Sequence, residues 1–251
     1  MSERPEFEGI RAVVTGGASG IGAATATMLR LGGASVYCLD LHPEGTPHGC
    51  AGLPCDVADE VSTSKAIGDA AEDLGGIGVL VNNAGIGASG SIEESDDATF
   101  RRLHEVNVLG IVRATRAALP YLRRSENAAV VNTCSVAATV GLPQRAAYSA
   151  SKGAVLSLTL AMAADHLRDG VRVSCVAPGT ADTPWVQRLL AEADDPTAAR
   201  RALEARQPTG RLVPAEEVAR AICSLASPLA GSSTGTVVTV DGGLTNLRLP
   251  G

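Results

Sequence analysis

Arg11-Ala12-Val13-Val14-Thr15-Gly16-Gly17-Ala18-Ser19-Gly20-Ile21-Gly22 is the stretch on which the fold turns. Five residues, three of them Ala or Val, read as a short buried strand. They run straight into glycines at 16, 20 and 22 and then into an alanine-rich helical segment, Ala23 to Leu31, which stops at Gly32-Gly33. Ala34 to Asp40 is the next strand. Strand, glycine loop, helix, strand is a βαβ unit. Glycine permits the tight turn and lets backbone N–H groups approach a pyrophosphate. A helix starting near Ile21 turns its positive end toward the same place. Gly16, Ser19, Gly20, Ile21 and Gly22 are therefore candidate cofactor contacts.

Outward from this unit the alternation continues. Ala51 to Cys55 is a weak strand ending at Asp56, and Val61 to Leu74 a helix. Ile77 to Asn82 is a strand, and Asp97 to Tyr121 one long helix. Ala128 to Thr133 is a strand and Ala147 to Leu167 a helix. Val171 to Val176 is a strand stopped by Pro178-Gly179, and Val237 to Val240 the last strand. Alternating strands and helices predict an α/β fold: a doubly wound parallel sheet in three layers. No linker divides the 251 residues, so one Rossmann-type domain over 1–251 is expected. The segment from about 182 to 211 breaks the rhythm. It holds the single tryptophan, Trp185, and Asp194-Asp195-Pro196 between two helical pieces. It reads as a substrate lid.

Asp40 ends the second strand eighteen residues after Gly22. A carboxylate there accepts hydrogen bonds from ribose hydroxyls and repels a 2′-phosphate. Leu41, His42 and Pro43 follow it with no Arg or Lys, so NAD is favoured over NADP. The plain alternative is a solvated strand end. Asp56 could bond an adenine amino group, with Val57 beside it, or cap the helix that follows.

Tyr148 and Lys152 stand four residues apart on a predicted helix, on one face, with Ser135 thirteen residues upstream. A free phenol ionises near pH ~10 and is a poor base at neutrality; a cation held close favours the phenolate. This pairing suits proton transfer that accompanies hydride transfer.

Net charge is −6 and no basic tract is present, which argues against nucleic acid and anionic membranes. The polar start, Met1 to Glu6, lacks a signal-peptide layout, and no apolar run reaches a membrane span. A cytoplasmic protein is expected. The six cysteines form no C-x-x-C pair, and the four histidines are isolated, so reduced thiols and no metal site are expected. Cys134 draws interest only because it precedes Ser135.

The T-G-x-x-x-G-x-G loop at Thr15–Gly22, N-N-A-G at Asn82–Gly85, Asn107 in Val106-Asn107-Val108, Ser135, Y-x-x-x-K at Tyr148–Lys152 and Pro178-Gly179-Thr180 together resemble the short-chain dehydrogenase/reductase family over nearly the whole chain. The resemblance implies an NAD(H)-dependent oxidoreductase of a secondary alcohol or carbonyl. Tyr148 would be the acid/base, Ser135 a partner of the substrate oxygen, and Lys152 the holder of the nicotinamide ribose. Asn107 would anchor a relay water. Asn83, Ala84 and Gly85 would lie along the adenosine half, and Pro178, Gly179, Thr180 and Thr183 along the nicotinamide and pyrophosphate. A homotetramer is implied as well.

For the substrate, Arg145 lies three residues before Tyr148, and Arg188 and Arg206 flank the lid with Trp185. Three guanidinium groups could hold a carboxylate or a polyol. Each could instead pair at the surface with Glu192, Asp194 or Glu204. The arginine arrangement resembles dehydrogenases of hydroxy acids such as 3-hydroxybutyrate, of deoxy-sugar acids and of L-fucose, and the lid sequence at 178–185 and 206–211 resembles the sugar-oxidising branch most. The alternatives are a carbonyl reductase of acyl, polyketide or steroid-like substrates, and a non-catalytic NAD(H)-sensing protein.

Overall fold

In the computed structural model, which describes residues 5–248, nine strands and eight α-helices alternate. The strands are β1 Arg11–Thr15, β2 Ser35–Asp40, β3 Ala51–Pro54, β4 Val79–Asn82, β5 Ala129–Thr133, β6 Arg172–Pro178, β7 Ala181–Asp182, β8 Val213–Pro214 and β9 Val237–Val240. The helices are α1 Gly20–Leu31, α2 Glu60–Leu74, α3 Asp97–His104, α4 Gly110–Leu122, α5 Ala146–His166, α6 Pro184–Ala191, α7 Pro196–Ala205 and α8 Ala215–Ala226. The polar start Met1–Arg4 lies outside the described residues.

Seven strands form one parallel sheet in the order β3-β2-β1-β4-β5-β6-β9. Its central strands are apolar without alternation because both faces are covered. Val13, Leu80 and Val130 pack with α2, α4 and α5 on one side. Val14, Val81 and Val131 pack with α1 and α8 on the other. Chain order reverses direction between β1 and β4, where Thr15 pairs with Asn82. Ligands of such sheets bind in the crevice at that point, beyond the carboxyl ends of the strands.

Three sequence expectations change. The stretch 97–121 is not one regular helix: a π-helical turn, Glu105–Leu109, separates α3 from α4. Helix α8 was not anticipated, although Val218, Ile222 and Leu225 are its buried stripe at helical spacing. The strand expected to stop at Val176 continues to Pro178, held by β9 through Pro178–Val240 pairing. Among the described residues no helix is long and apolar enough to cross a membrane.

Candidate functional site

At the switch point, Thr15 staples two loops together. Its Oγ1 accepts from the N–H groups of Asn83 (3.0 Å) and Ala84 (3.1 Å). The Asn83 amide in turn donates to the Gly16 carbonyl at 3.1 Å. Gly16 has φ +62, in the left-handed region, and a Cβ on Gly22 would overlap the Gly16 carbonyl oxygen. Both glycines are thus required by backbone crowding. Ser19 is the N-cap of α1 but makes no side-chain cap bond, and no acidic residue occupies the first turn. The first N–H groups of α1 therefore keep their need for an anionic acceptor.

Asp40 is fixed beside this loop. Its carboxylate accepts from the N–H of Ala18 and of His42, each at 3.1 Å. Asp56 does not cap α2: Asp59 does, accepting from Ser62 N–H at 2.6 Å. The Asp56 carboxylate instead accepts from Ala58 N–H at 2.9 Å, in an exposed turn. Val57 is 8% exposed and packs on Gly110, and its carbonyl accepts from Arg113.

The other polar group gathers between β5, the π turn and α5. Ser135 begins a short 3₁₀ turn, and its Oγ accepts from Ala137 N–H at 3.2 Å. Tyr148 and Lys152 sit in the first two turns of α5. Lys152 is 5% exposed, donates from Nζ to the Thr133 carbonyl at 2.9 Å, and lies 5.8 Å from the Tyr148 ring centroid. Asn107, 1% exposed, is placed by the π turn. Its Oδ1 accepts from Ile86 N–H at 2.8 Å, and its Nδ2 donates to Ile86 O and Ser151 Oγ, both at 3.0 Å. A Cβ built on Gly85 would lie 3.1 Å from Asn107 Oδ1 and 3.7 Å from Lys152 Nζ, so the three are neighbours. Cys134 packs beneath, its thiol donating to Lys152 O at 3.3 Å. A hydrogen bond from Cys175 pulls this thiol down to about 7 against the effect of burial, with help from the Lys152 charge.

A cavity opens among these parts, although Asp40, Asp56, Val57, Ala84 and Asn107 are not in its lining. Ile21, Asn83, Gly85, Ser135, Tyr148, Lys152, Pro178, Gly179, Thr180 and Thr183 all line it. Arg145, Trp185 and Arg206 line it too. Arg188 does not: it is exposed on α6. Its surroundings could not be read from sequence, because the path of 182–211 decides which face of α6 looks inward. Glu204 is not a partner of Arg206 but pairs with Arg200 at 3.2 Å. Among the described residues, the cavity wall carries three cations, Arg145, Lys152 and Arg206, and no carboxylate. Burial first, and then the charge of Arg206, pull the Arg145 guanidinium below the usual arginine range, while Tyr148 acts the other way. The remaining wall is largely apolar: Ile86, Val136, Leu142, Val186, Leu189, Leu203 and Leu244.

The segment 182–211 forms α6 and α7, joined where Asp195 caps α7 with Pro196 at its first position. Trp185 lies against Gly87, where an added Cβ would come within 2.6 Å of the indole. Thr183 lies against Gly20, 3.3 Å from an added Cβ. Gln207, which the sequence did not mark, is 1% exposed with its Oε1 unpartnered, packed on Gly179. Ser151 was likewise not singled out, and Thr15 only as the first residue of its loop motif.

A family model described as enoyl-(acyl carrier protein) reductase matches residues 16–245. The chain is 40% identical to a cis-4-hydroxycyclohexanecarboxylate dehydrogenase of Sinomonas cyclohexanicum, over 93% of this chain and 96% of that protein. It is 39% identical to 2-(S)-hydroxypropyl-CoM dehydrogenase 3 of Xanthobacter autotrophicus, over 98% and 99%. The ligand-free structure of Thermoplasma acidophilum aldohexose dehydrogenase superposes with a TM-score of 0.91 at 33% identity, over 98% of this chain and 99% of that one.

Proposed function

The chain belongs to the short-chain dehydrogenase/reductase family and is an oxidoreductase of CH–OH groups; we propose that its cofactor is NAD and its substrate a secondary alcohol bearing a carboxylate on an apolar body. The observation that carries the substrate reading is the cavity wall, on which, among the described residues, Arg145 and Arg206 meet no carboxylate and aliphatic side chains make up much of the rest. Guanidinium groups in such a wall favour a carboxylate. A polyol would leave many hydroxyls facing leucines and valines, at a desolvation cost. The Sinomonas relative is named for a substrate of the favoured kind.

The residues present fit a dinucleotide. The glycine crowding at Gly16 and Gly22 keeps the loop flat, and the uncapped start of α1 offers its N–H groups to the pyrophosphate. The Asp40 carboxylate, already oriented by two N–H groups, would take the adenosine ribose hydroxyls and repel a 2′-phosphate. Asn83, Ala84 and Gly85 would flank the adenosine side, with Asp56 and Val57 farther out. Pro178, Gly179, Thr180 and Thr183 would flank the nicotinamide. Bound there, the cofactor supplies the hydride acceptor or donor.

The protein's part is to hold and move one proton. Ser135 Oγ spends a lone pair on Ala137 N–H, so its own proton is free to donate to the substrate oxygen. Tyr148 accepts the hydroxyl proton in oxidation and returns it in reduction. Lys152 uses one of three donors on Thr133 O and keeps two for the ribose and the relay. Asn107 has committed both amide hydrogens to protein partners. Its Oδ1 retains one lone pair for a relay water, and its main duty is to position Gly85–Ile86 against α5.

Oxidation of aliphatic and alicyclic hydroxy acids, neutral alcohols and aldoses, followed by NADH absorbance, tests this. Hydroxy acids should exceed their neutral analogues at least about ten-fold in kcat/KM, about 1.4 kcal/mol. Equal rates would remove the carboxylate. Tyr148→Phe should lower kcat by more than about 100-fold while NADH affinity stays within a few-fold; full activity would end the acid/base role. A second reading, reduction of an acyl-chain carbonyl, is favoured by the aliphatic wall, and would show as turnover confined to NADPH and long-chain ketones.

A further inference from the structure

Cys134 takes no part in proton transfer, yet it borders the residues that do and has a second thiol beside it. It follows the last residue of β5 and directly precedes Ser135. Among the described residues it is the single cysteine in the cavity wall, together with Ser135, Tyr148 and Lys152. It is 2% exposed, so only a small, water-like reagent reaches it.

Cys175 stands on the adjoining strand, β6. Asn132 lies opposite Cys175 and Thr133 opposite Val176, and Cys134 N–H extends the ladder to Val176 O at 2.8 Å. Side chains alternate along a strand, so Cys134, two residues beyond Asn132, shares a sheet face with Cys175. Both belong to the core layer beneath α5. There Cys175 donates a hydrogen bond to the Cys134 sulfur, and the Cys134 thiol reaches Lys152 O at 3.3 Å and Ser135 O at 3.8 Å. One sulfur thus touches the backbone of two residues on which the reaction depends.

The six thiols are not equivalent. The bond from Cys175, and then the Lys152 charge, draw Cys134 toward its thiolate against burial. Cys175 is pushed the other way by the same bond and by burial. Burial also pushes up Cys38, Cys50, Cys55 and Cys223. The thiolate is the form that attacks an oxidant, so a thiol held near a cation in a cavity wall is the reactive one.

We propose that Cys134 is a hydroperoxide-reactive modification site, with Cys175 as the thiol that resolves it to a disulfide. The Cys134 sulfur attacks one peroxide oxygen. An S–O bond forms, the O–O bond breaks, and the leaving oxygen takes the proton that Cys134 gave up. The sulfur is oxidised by two electrons to a sulfenic acid and the peroxide is reduced. Cys175 then attacks the Cys134 sulfur. An S–S bond forms, the S–O bond breaks, and hydroxide leaves as water with the Cys175 proton. Two thiols and hydrogen peroxide thus give one disulfide and two waters. Lys152 O loses its thiol contact, and Ser135, next in the chain, is drawn with the sulfur toward β6. The oxidised protein therefore holds its cofactor poorly, a consequence that rests on the cofactor reading above. The cross-link itself does not.

Reduced protein is treated with equimolar hydrogen peroxide, unfolded, capped with N-ethylmaleimide and digested. Peptide masses should show Cys134 joined to Cys175 as the first oxidation product, with the other four cysteines capped. In Cys175→Ala the cross-link should give way to a Cys134 sulfenic acid, trapped by dimedone. NADH fluorescence titration of the oxidised wild type should show affinity at least about ten-fold weaker, restored by dithiothreitol. The same peroxide treatment should leave the NADH affinity of Cys134→Ser where it was before treatment.

Oxidation of the more exposed Cys50 before Cys134, or no product at Cys134, overturns the site. A sulfenic acid in wild type without the cross-link overturns the role of Cys175. A complete cross-link with unchanged NADH affinity overturns the consequence for Lys152 and Ser135. Reduced protein that binds no NADH fails the cofactor reading alone, and the peptide map still decides the modification. The wild-type map and Cys175→Ala decide it even if Cys134→Ser does not fold.

Discussion

Asp40 is a carboxylate committed before any ligand arrives. Two backbone N–H groups hold it, from Ala18 in the glycine loop and from His42 in its own turn, so its direction is fixed. Next to it Leu41 is 63% exposed and Pro43 follows, so this turn offers no cation to a 2′-phosphate. On the proposed NAD reading, specificity here would rest on repulsion as much as on attraction. Replacing Asp40→Ala together with Leu41→Arg should lower the NAD-over-NADP ratio of kcat/KM by at least about 100-fold, about 2.7 kcal/mol. The measurement is the two ratios on one substrate. An unchanged ratio would place discrimination elsewhere in the loop. The same substitution removes a partner from two N–H groups, so the melting temperature should fall too, which separates the loop's stability from its selectivity.

At the scale of elements, the π turn Glu105–Leu109 shows what the sequence pattern could and could not carry. One extra residue in a helical turn does not disturb apolar periodicity enough to be read, so 97–121 looks like one regular helix. Asn107 itself was legible from its setting between two valines in a chain with the other family motifs. What it holds was not, because Ile86 and Ser151 lie far from it in sequence. The strands, the glycine loop and the Tyr148–Lys152 spacing were legible because local rules fix them: apolar runs, backbone crowding, and helix geometry. Arg188, Gln207 and the Asp56–Asp59 exchange were not, because a tertiary path or a one-turn shift decides which side chain faces where. Asn107→Leu tests the element. It keeps the number and branching of the side-chain heavy atoms and strands the Ile86 N–H and carbonyl in a buried place, at about 1–3 kcal/mol each. Urea unfolding should lose about 2–6 kcal/mol, and kcat should fall as Gly85 and Lys152 lose their register. A loss below about 0.5 kcal/mol would mean the π turn is held by other contacts.

For the molecule as a whole, two surfaces remain unsatisfied by the single chain. Helix α5 is apolar nearly all round. Val155, Thr159 and Met162 enter the core, while Leu160 remains 47% exposed on another face. A helix of that kind is normally buried on more than one side. The sheet also ends in β9, an open edge strand with Val237 39% exposed. Association of identical chains through α4 and α5, and through β9, would cover both, which supports a homotetramer of two kinds of two-fold contact. Sedimentation should give a particle of four chain masses, and its melting temperature should rise with protein concentration, as mass action requires of a coupled assembly. Leu160→Arg places a charge in the α5 contact and should halve the particle while leaving the circular dichroism of the fold intact. A wild-type protein that sediments as one chain at micromolar concentration would refute the assembly. It would leave the exposed face of α5 as an unexplained cost to solubility.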